Sequence, residues 1–341
     1  MSDILFMQRA LDLAQRGKGL VAPNPMVGCV IVDDQKIIGE GYHKNYGEAH
    51  AEVNAINSVG NPDLLRRSTV YVSLEPCAHF GKTPPCADLL IHNQVKKVIV
   101  ACEDPFNLVD GKGIERLKDA GIEVEVGVLK NEAISLNKRF FTFHQKKRPY
   151  IILKWAQTAD GFVARENHDA KWISNPYSRQ LVHKWRTEED AILVGKDTAL
   201  YDNPSLTARD WSGKNPTRIL LDSKLELPYN LKLYNQEADS LILNTIKFSV
   251  SNKNTWLKLS EITPQTVLHT LYEKNIQSVI IEGGKKVLNA FIQENCWDEA
   301  RIFVSTKTFG KGLEAPQLQG DIEQTEKIQE DQLFIYRNVD G

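Results

Sequence analysis

His50, Cys77 and Cys86 carry donor atoms that suit a borderline-soft metal ion. Two thiolates and one imidazole offer Zn²⁺ three protein ligands and leave the fourth tetrahedral position to water, whereas a closed structural site wants four protein ligands. Zinc lowers the pKa of bound water towards ~7 and so supplies hydroxide at neutral pH. Glu52 stands two residues after His50, near enough to carry protons without ligating the metal. Taken as residues alone, Cys77 and Cys86 also fit as small core side chains, the reading given to Cys29, Cys102 and Cys296 in their apolar surroundings. Between the two ligand candidates run eight residues, Ala-His-Phe-Gly-Lys-Thr-Pro-Pro, where solvent is the default for His79 and Lys82. Asn24 in Asn-Pro-Met-Val-Gly and His43 in Gly-Tyr-His either face a ligand or satisfy local backbone.

The later part of the chain has no G-x-G-x-x-G after a strand, so a Rossmann cofactor site is not indicated. Its polar candidates are spread out. Lys154 to Gly161 leaves a strand and turns at a glycine, Lys171-Trp172-Ile173-Ser174 precedes a helix, and Gly195 to Arg209 follows another strand. Asp222-Ser223 ends a further strand, and Glu282-Gly283-Gly284 ends a buried one before a helix. Glycines at a helix N-terminus let backbone N–H groups approach an anion, although a Gly-Gly pair is most often only a turn.

These residues need elements to hold them. Short β-branched runs predict strands at Met26 to Val32, Lys36 to Tyr42, Thr69 to Leu74, Lys97 to Cys102 and Glu123 to Val128, the first two joined by the hairpin Asp33-Asp34-Gln35. Helices are expected at about Ala49 to Asn57, Cys86 to His92 and Gly113 to Ala120, after an amphipathic first helix with Ile4, Met7, Leu11 and Ala14 at helical spacing. Asn137 to Tyr150 reads as a seam: an aromatic cluster, the basic run Lys146-Lys147-Arg148, then Pro149. A helix would end before that proline and the charges suit a solvated connector. Beyond it, Tyr150 to Ala156 opens a second sheet, continued by strands at Ala191 to Val194, Arg218 to Leu221 and Ser278 to Ile281, with helices to about Arg186 and over Val287 to Gln293. Asn244 to Ser260 reads as a surface excursion. The expected fold class is layered α/β twice, in domains of residues 1–145 and 149–341.

Length and composition agree: 341 residues suffice for two cores, and 42% apolar with 25% charged residues is ordinary for a globular protein. A net charge of -2 lacks the basic footprint of nucleic-acid binding, and no apolar run approaches the ~18 residues of a membrane span. Five cysteines, an odd number, argue for a reducing compartment, with the cytoplasm as default.

The set His50-x-Glu52…Pro76-Cys77…Cys86 resembles the signature of zinc-dependent nucleobase deaminases. It departs from the usual two-residue spacing between the cysteines. The longer form, Pro-Cys-Ala-His-Phe-Gly-Lys-Thr-Pro-Pro-Cys, with the Asn24 and His43 segments, is similar to the deaminase half of the bifunctional riboflavin-biosynthesis family. From Pro149 to at least Ser305 the chain resembles that family's reductase half. One departure there is Thr158-Ala159, where the family commonly has a serine-leucine pair. The resemblance implies a cytidine-deaminase-like three-layer α/β domain followed by a dihydrofolate-reductase-like α/β domain. It implies zinc on His50, Cys77 and Cys86, Glu52 as proton carrier, and Asn24, His43, His79 and Lys82 at the deaminase substrate. It implies NADPH on Ala156, Trp172, Thr198, Asp202, Ser223 and Gly284, and reductase substrate on Ala170, Arg186, Leu206, Arg209 and Glu282, with both arginines offering bidentate forks to a sugar phosphate.

The expected reaction is hydrolytic deamination of 2,5-diamino-6-(5-phosphoribosylamino)pyrimidin-4-one. Reduction of ribosyl to ribityl by NADPH follows, with Lys154 or Asp202 as candidates to assist protonation. Expected partners are the phosphorylated pyrimidine and further copies of the chain, with no nucleic acid and no membrane. Two other readings stay open: a nucleoside or transfer-RNA deaminase with a C-terminal binding domain, and a zinc-stabilised protein without catalysis. The acidic pI and long inter-cysteine loop count against the first, and Glu52 with a three-ligand site against the second.

Overall fold

The computed structural model describes residues 2–78, 84–106, 109–166 and 173–339. The chain divides into two compact units, Met1–Lys146 and Lys147–Gly341.

The first unit is built on strands β1 (Gly28–Asp33), β2 (Lys36–Tyr42), β3 (Thr69–Val72), β4 (Lys97–Val100) and β5 (Glu123–Val126), in the order β2-β1-β3-β4-β5. β1 runs antiparallel to both β2 and β3, while β3, β4 and β5 are parallel. Asp34 and Gln35 turn the β1–β2 hairpin with positive φ, as a tight turn between right-twisted strands requires. Strand residues alternate between two cores because successive side chains point to opposite faces. Cys29 and Ile31 pack with helices α2 (Ala51–Asn57), α3 (Cys86–His92) and α4 (Lys112–Asp119). Val30 and Val32 pack with α1 (Asp3–Ala14), α5 (Lys130–Leu136) and α6 (Lys138–Lys146). The result is three layers, helix on sheet on helix. Helix α1 turns Phe6, Met7, Ala10 and Leu11 to the core and leaves Ile4 exposed, a small rotation from the expected face.

α6 corrects the connector reading. Its Phe140, Phe141 and Phe143 are buried, so the aromatic cluster belongs to the first core and only Lys147–Pro149 separates α6 from the first strand of the second unit. The apolar spacing outweighs the basic residues: Lys146 and Lys147 are exposed, Lys138 and Arg139 are half-buried, and Arg148 pairs with Asp298 at 2.6 Å.

The second unit has β6 (Tyr150–Gln157), β7 (Phe162–Ala164), α7 (Pro176–Glu188), β8 (Ala191–Gly195), α8 (Lys196–Asp202) and β9 (Thr217–Leu221). They are followed by β10 (Ser240–Asn244), β11 (Ser249–Ser251), β12 (Asn254–Lys258), α9 (Pro264–Glu273), β13 (Ser278–Ile281), α10 (Lys285–Gln293), β14 (Glu299–Val304), β15 (Leu313–Glu314), β16 (Asp321–Ile328) and β17 (Asp331–Arg337). The main sheet is ordered β11-β12-β10-β9-β8-β13-β6-β14-β17-β16 and is parallel from β12 through β14. Ile151, Leu153 and Trp155 of β6 face α9 and α10, while Tyr150 and Ile152 face α7. A parallel sheet covered on both faces has strands with continuous apolar runs, as in Tyr150–Leu153 of β6, all of β8, and Val279–Ile281 of β13. The run from Asn244 to Ser260 is not a surface excursion: it holds β11 and β12, with Asn254, Trp256 and Leu257 buried. Its strands are short and flanked by polar residues, so no periodic signal marks them.

One close approach fixes the helix that carries Glu52. A Cβ on Gly41 in β2 would lie 2.3 Å from the Ala55 nitrogen and 2.4 Å from the Ala51 oxygen. Gly41→Ala therefore drives α2 away from the sheet; we expect a loss of about 1–3 kcal/mol in the stability of the first unit, measured by denaturant unfolding.

Candidate active site

In the first unit three element ends converge. β3 runs out through Leu74-Glu75-Pro76 to Cys77, His50 stands immediately before α2, and Cys86 is the first residue of α3. His50 Nδ1 lies 3.6 Å from Cys77 Sγ and 3.3 Å from Cys86 Sγ. The donor atoms of all three lie within 4.8 Å of one another. Tetrahedral zinc, with Zn–N near 2.0–2.1 Å and Zn–S near 2.3 Å, would set each N···S separation at about 3.6 Å, so the donor set fits the ion. The Cys86 backbone N–H donates to Cys77 Sγ over 3.3 Å. The Cys86 side chain, with His50 behind it, holds the Cys77 thiol below its ordinary range, against its burial.

Glu52, in the first turn of α2, is 3% exposed. Burial, followed by the charge at Cys77, pushes its carboxyl up to about 7. A carboxyl in that range both accepts and returns a proton near neutrality.

Asn24 and His43 are brought together beside this cluster. His43 Nδ1 donates to the Ala49 carbonyl at 3.2 Å, which leaves Nε2 to accept from Asn24 Nδ2 at 3.1 Å and fixes a neutral tautomer. Burial lowers the His43 pKa, in keeping with that form. The His43 and His50 rings meet edge to face, centroids 5.4 Å apart. Behind Asn24, the side chain of Asn137 clamps Met26, accepting from its nitrogen at 2.8 Å and donating to its oxygen at 2.9 Å. Sequence reasoning passes over Asn137 because the contact spans 111 positions and an asparagine outside a motif carries no signal. His79 and Lys82 lie outside the described residues.

In the second unit the central strands β9, β8, β13 and β6 are parallel neighbours, so their C-terminal ends share one edge. Ala156 near the end of β6, Thr198 in α8 after β8, Ser223 after β9 and Gly284 after β13 all fall along it, the edge where open α/β sheets bind ligands. Asp202 closes α8 and is exposed. Gly284 has φ +55, and a Cβ there would press on Thr198 Oγ1 at 3.1 Å, so these two residues form one surface. Trp172 and Ala170 lie outside the described residues.

Beside that edge is a buried charge cluster. Arg186 of α7 donates to both oxygens of Glu282, at 3.3 and 2.9 Å, and to the Thr207 carbonyl at 3.1 Å. Lys154 Nζ is 3.8 Å from Glu282 Oε2. Burial works against the Glu282 charge, but Arg186 and Lys154 outweigh it and hold the carboxyl at about 2. Burial also keeps the Lys154 ammonium below its ordinary range, with Glu282 pulling the other way. The structure thus turns the Arg186 fork onto Glu282. Arg209 is exposed, and Leu206 is a core residue with φ +54.

The comparisons with known proteins follow this division. Residues 1–102 match the model for the cytidine and deoxycytidylate deaminase zinc-binding region, and residues 149–335 match the RibD C-terminal domain. Fold and site together define a two-part enzyme, a cytidine-deaminase-like unit joined to a dihydrofolate-reductase-like unit. The chain belongs to the RibD family, the bifunctional deaminase/reductases of riboflavin biosynthesis, whose two activities use zinc and NADPH. Riboflavin biosynthesis protein RibD of Aquifex aeolicus is 42% identical over 315 residues, covering 90% of this chain and 88% of its own. That of Bacillus amyloliquefaciens is 42% identical over 324 residues, covering 92% and 86%. The crystal structure of the diaminohydroxyphosphoribosylaminopyrimidine deaminase/5-amino-6-(5-phosphoribosylamino)uracil reductase of Thermotoga maritima superposes with TM-score 0.90 at 38% identity, covering 98% of each chain. Among the described residues, no helix is long and apolar enough to cross a membrane.

The Glu282 cluster has a pH signature. Its folded carboxyl, near 2, lies below the ordinary 4.5, so the stabilisation is fully present above about pH 4.5 and is lost as pH falls through 2. Glu282→Gln leaves two buried cations unpaired; we expect a cost of about 3–5 kcal/mol at pH 7, narrowing below pH 4.5 in acid-unfolding curves.

Proposed function

We propose that the first unit deaminates the diaminopyrimidinone phosphoribosylamine named for the Thermotoga relative, and that the second reduces its ribosyl group to ribityl. The observation that carries the reading is the His50–Cys77–Cys86 donor set with buried Glu52 beside it. These three side chains hold zinc, which when bound supplies an activated water. Glu52 takes the proton of the attacking water and delivers it to the departing amine, which leaves as ammonia. Neutral His43, held by Ala49 and Asn24, offers an oriented polar face to the pyrimidine, and the Asn137 clamp keeps Asn24 in place.

In the second unit Ala156, Thr198, Asp202, Ser223 and Gly284, with Trp172, form the NADPH site. When bound there, NADPH would supply the hydride that reduces the anomeric carbon and opens the sugar ring, and the freed ring oxygen would need one proton to become a hydroxyl. Lys154, 3.8 Å from Glu282, and Asp202 are the candidates to provide it, and the buried ion pair favours Lys154. Arg209 is exposed and suits the sugar phosphate, with Leu206 and Ala170 as further candidates for the substrate, whereas Arg186 acts through Glu282. The five thiols, all unpaired, accord with a reducing cytoplasmic setting.

Incubation of the protein with the diamino substrate, with and without NADPH, tests the order of reactions: ammonia release needs no NADPH, and NADPH is consumed only after it. Glu52→Gln is expected to keep its zinc and lose deamination by about 10²–10⁴-fold, while reduction of pre-deaminated substrate continues. A deamination rate near wild type would assign the proton transfer elsewhere. Arg209→Lys keeps the charge but loses the fork; we expect the reductase KM for the phosphorylated substrate to rise roughly ten- to a hundred-fold, with little change for a dephosphorylated one.

A further inference from the structure

Glu75, two residues before Cys77, takes no part in the chemistry above, yet its side chain is 4% exposed. Its partners are backbone amides. Oε1 accepts from the nitrogens of Gly113 at 2.8 Å and Ile114 at 3.2 Å, and Oε2 from those of Gly111 at 3.0 Å and Asp104 at 3.2 Å. Four bonds fill the acceptor capacity of a carboxylate. Three of the donors belong to the start of α4, where helical N–H groups have no partner of their own. The Glu75 nitrogen in turn donates to the Cys102 oxygen at 3.0 Å.

Helix α4 grips the same turn at two further points. A Cβ on Gly113 would stand 1.9 Å from the Pro76 oxygen, so helix and turn are in direct backbone contact. Arg116 donates to the Ala78 oxygen at 3.1 Å and to Asp88 of α3 at 3.0 Å. Residues 75, 76 and 78 are therefore each fastened to α4, and Cys77 is the residue between them. We propose that Glu75 is the positioning residue of the metal centre. It fixes the Cys77 thiolate against His50 and Cys86 by riveting the end of β3 to α4. This inference rests on the assignment of His50, Cys77 and Cys86 as ligands.

The test uses the full chain, with zinc affinity read by chelator competition and ligand geometry by the absorption of Co²⁺ in place of zinc. In Glu75→Gln an amide NH₂ faces backbone donors, so two of the four bonds are lost. Zinc affinity is expected to fall by about 10–100-fold, the usual effect of removing outer support from a metal site. The cobalt d–d and sulfur charge-transfer bands are expected to shift, whereas general destabilisation would lower the melting temperature and leave the folded protein's spectrum unchanged. An affinity within about twofold of wild type with a superimposable cobalt spectrum overturns the proposal. If Glu75→Gln yields no folded protein, Glu75→Asp decides. The shorter carboxylate cannot reach all four amides, so weaker zinc binding supports the role and wild-type binding overturns it. Cys86→Ser separates the two claims: full zinc binding there overturns the ligand assignment itself, while loss there with wild-type binding in Glu75→Gln overturns only the role of Glu75.

Discussion

Removing an ionised group from water costs several kcal/mol unless protein groups replace the lost solvation, and that constraint arranges both units. Glu52 and Glu282 show its two outcomes. Glu52 is buried, and burial more than any neighbouring charge pushes its carboxyl up to about 7, the range that suits a proton carrier. Glu282 is buried against Arg186 and Lys154, falls to about 2, and serves as a fixed negative charge. The same residue type is chemically labile in one unit and inert in the other, and the difference lies in what stands within hydrogen-bonding reach. Glu52 stands at the start of α2 and Glu282 directly after the end of β13.

The convergence of His50, Cys77 and Cys86 was legible in the sequence because it is encoded in residue types and local spacing. His50 and Glu52 share a helix start, Cys86 begins another, and a proline precedes Cys77. Strands with apolar runs were legible for the same reason, and β2 and α3 have the bounds that the pattern suggests. Contacts that are distant in sequence were not. The Asn137 clamp on Met26 and the closure of Arg186 on Glu282 join residues about a hundred positions apart, and neither partner's type announces the other. An arginine near a glycine-rich turn reads as a phosphate ligand until the glutamate that occupies it is seen.

Two misread segments share a physical cause. In Asn137 to Tyr150 and in Asn244 to Ser260, charged or polar residues crowd around a few apolar ones, and average polarity suggested exposure. Burial is decided side chain by side chain. Phe140, Phe141 and Phe143 reach the core from a helix that also carries Lys138, Arg139 and Lys146, and Trp256 and Leu257 do so from a five-residue strand.

The fastening of the ligand turn also bears on where one folding unit ends. A fragment stopping at residue 102 would contain His50, Cys77 and Cys86, Glu52, and every residue of the matched deaminase region. It would lack α4, which holds Glu75 and Ala78, the β5 edge of the sheet, and the Asn137 clamp behind Asn24. The segment that bears the motif is thus shorter than the segment that can hold it still. Chain grafts or circular permutations that keep the signature need the following forty-odd residues (through Lys146) as well, although none of them carries a reacting atom.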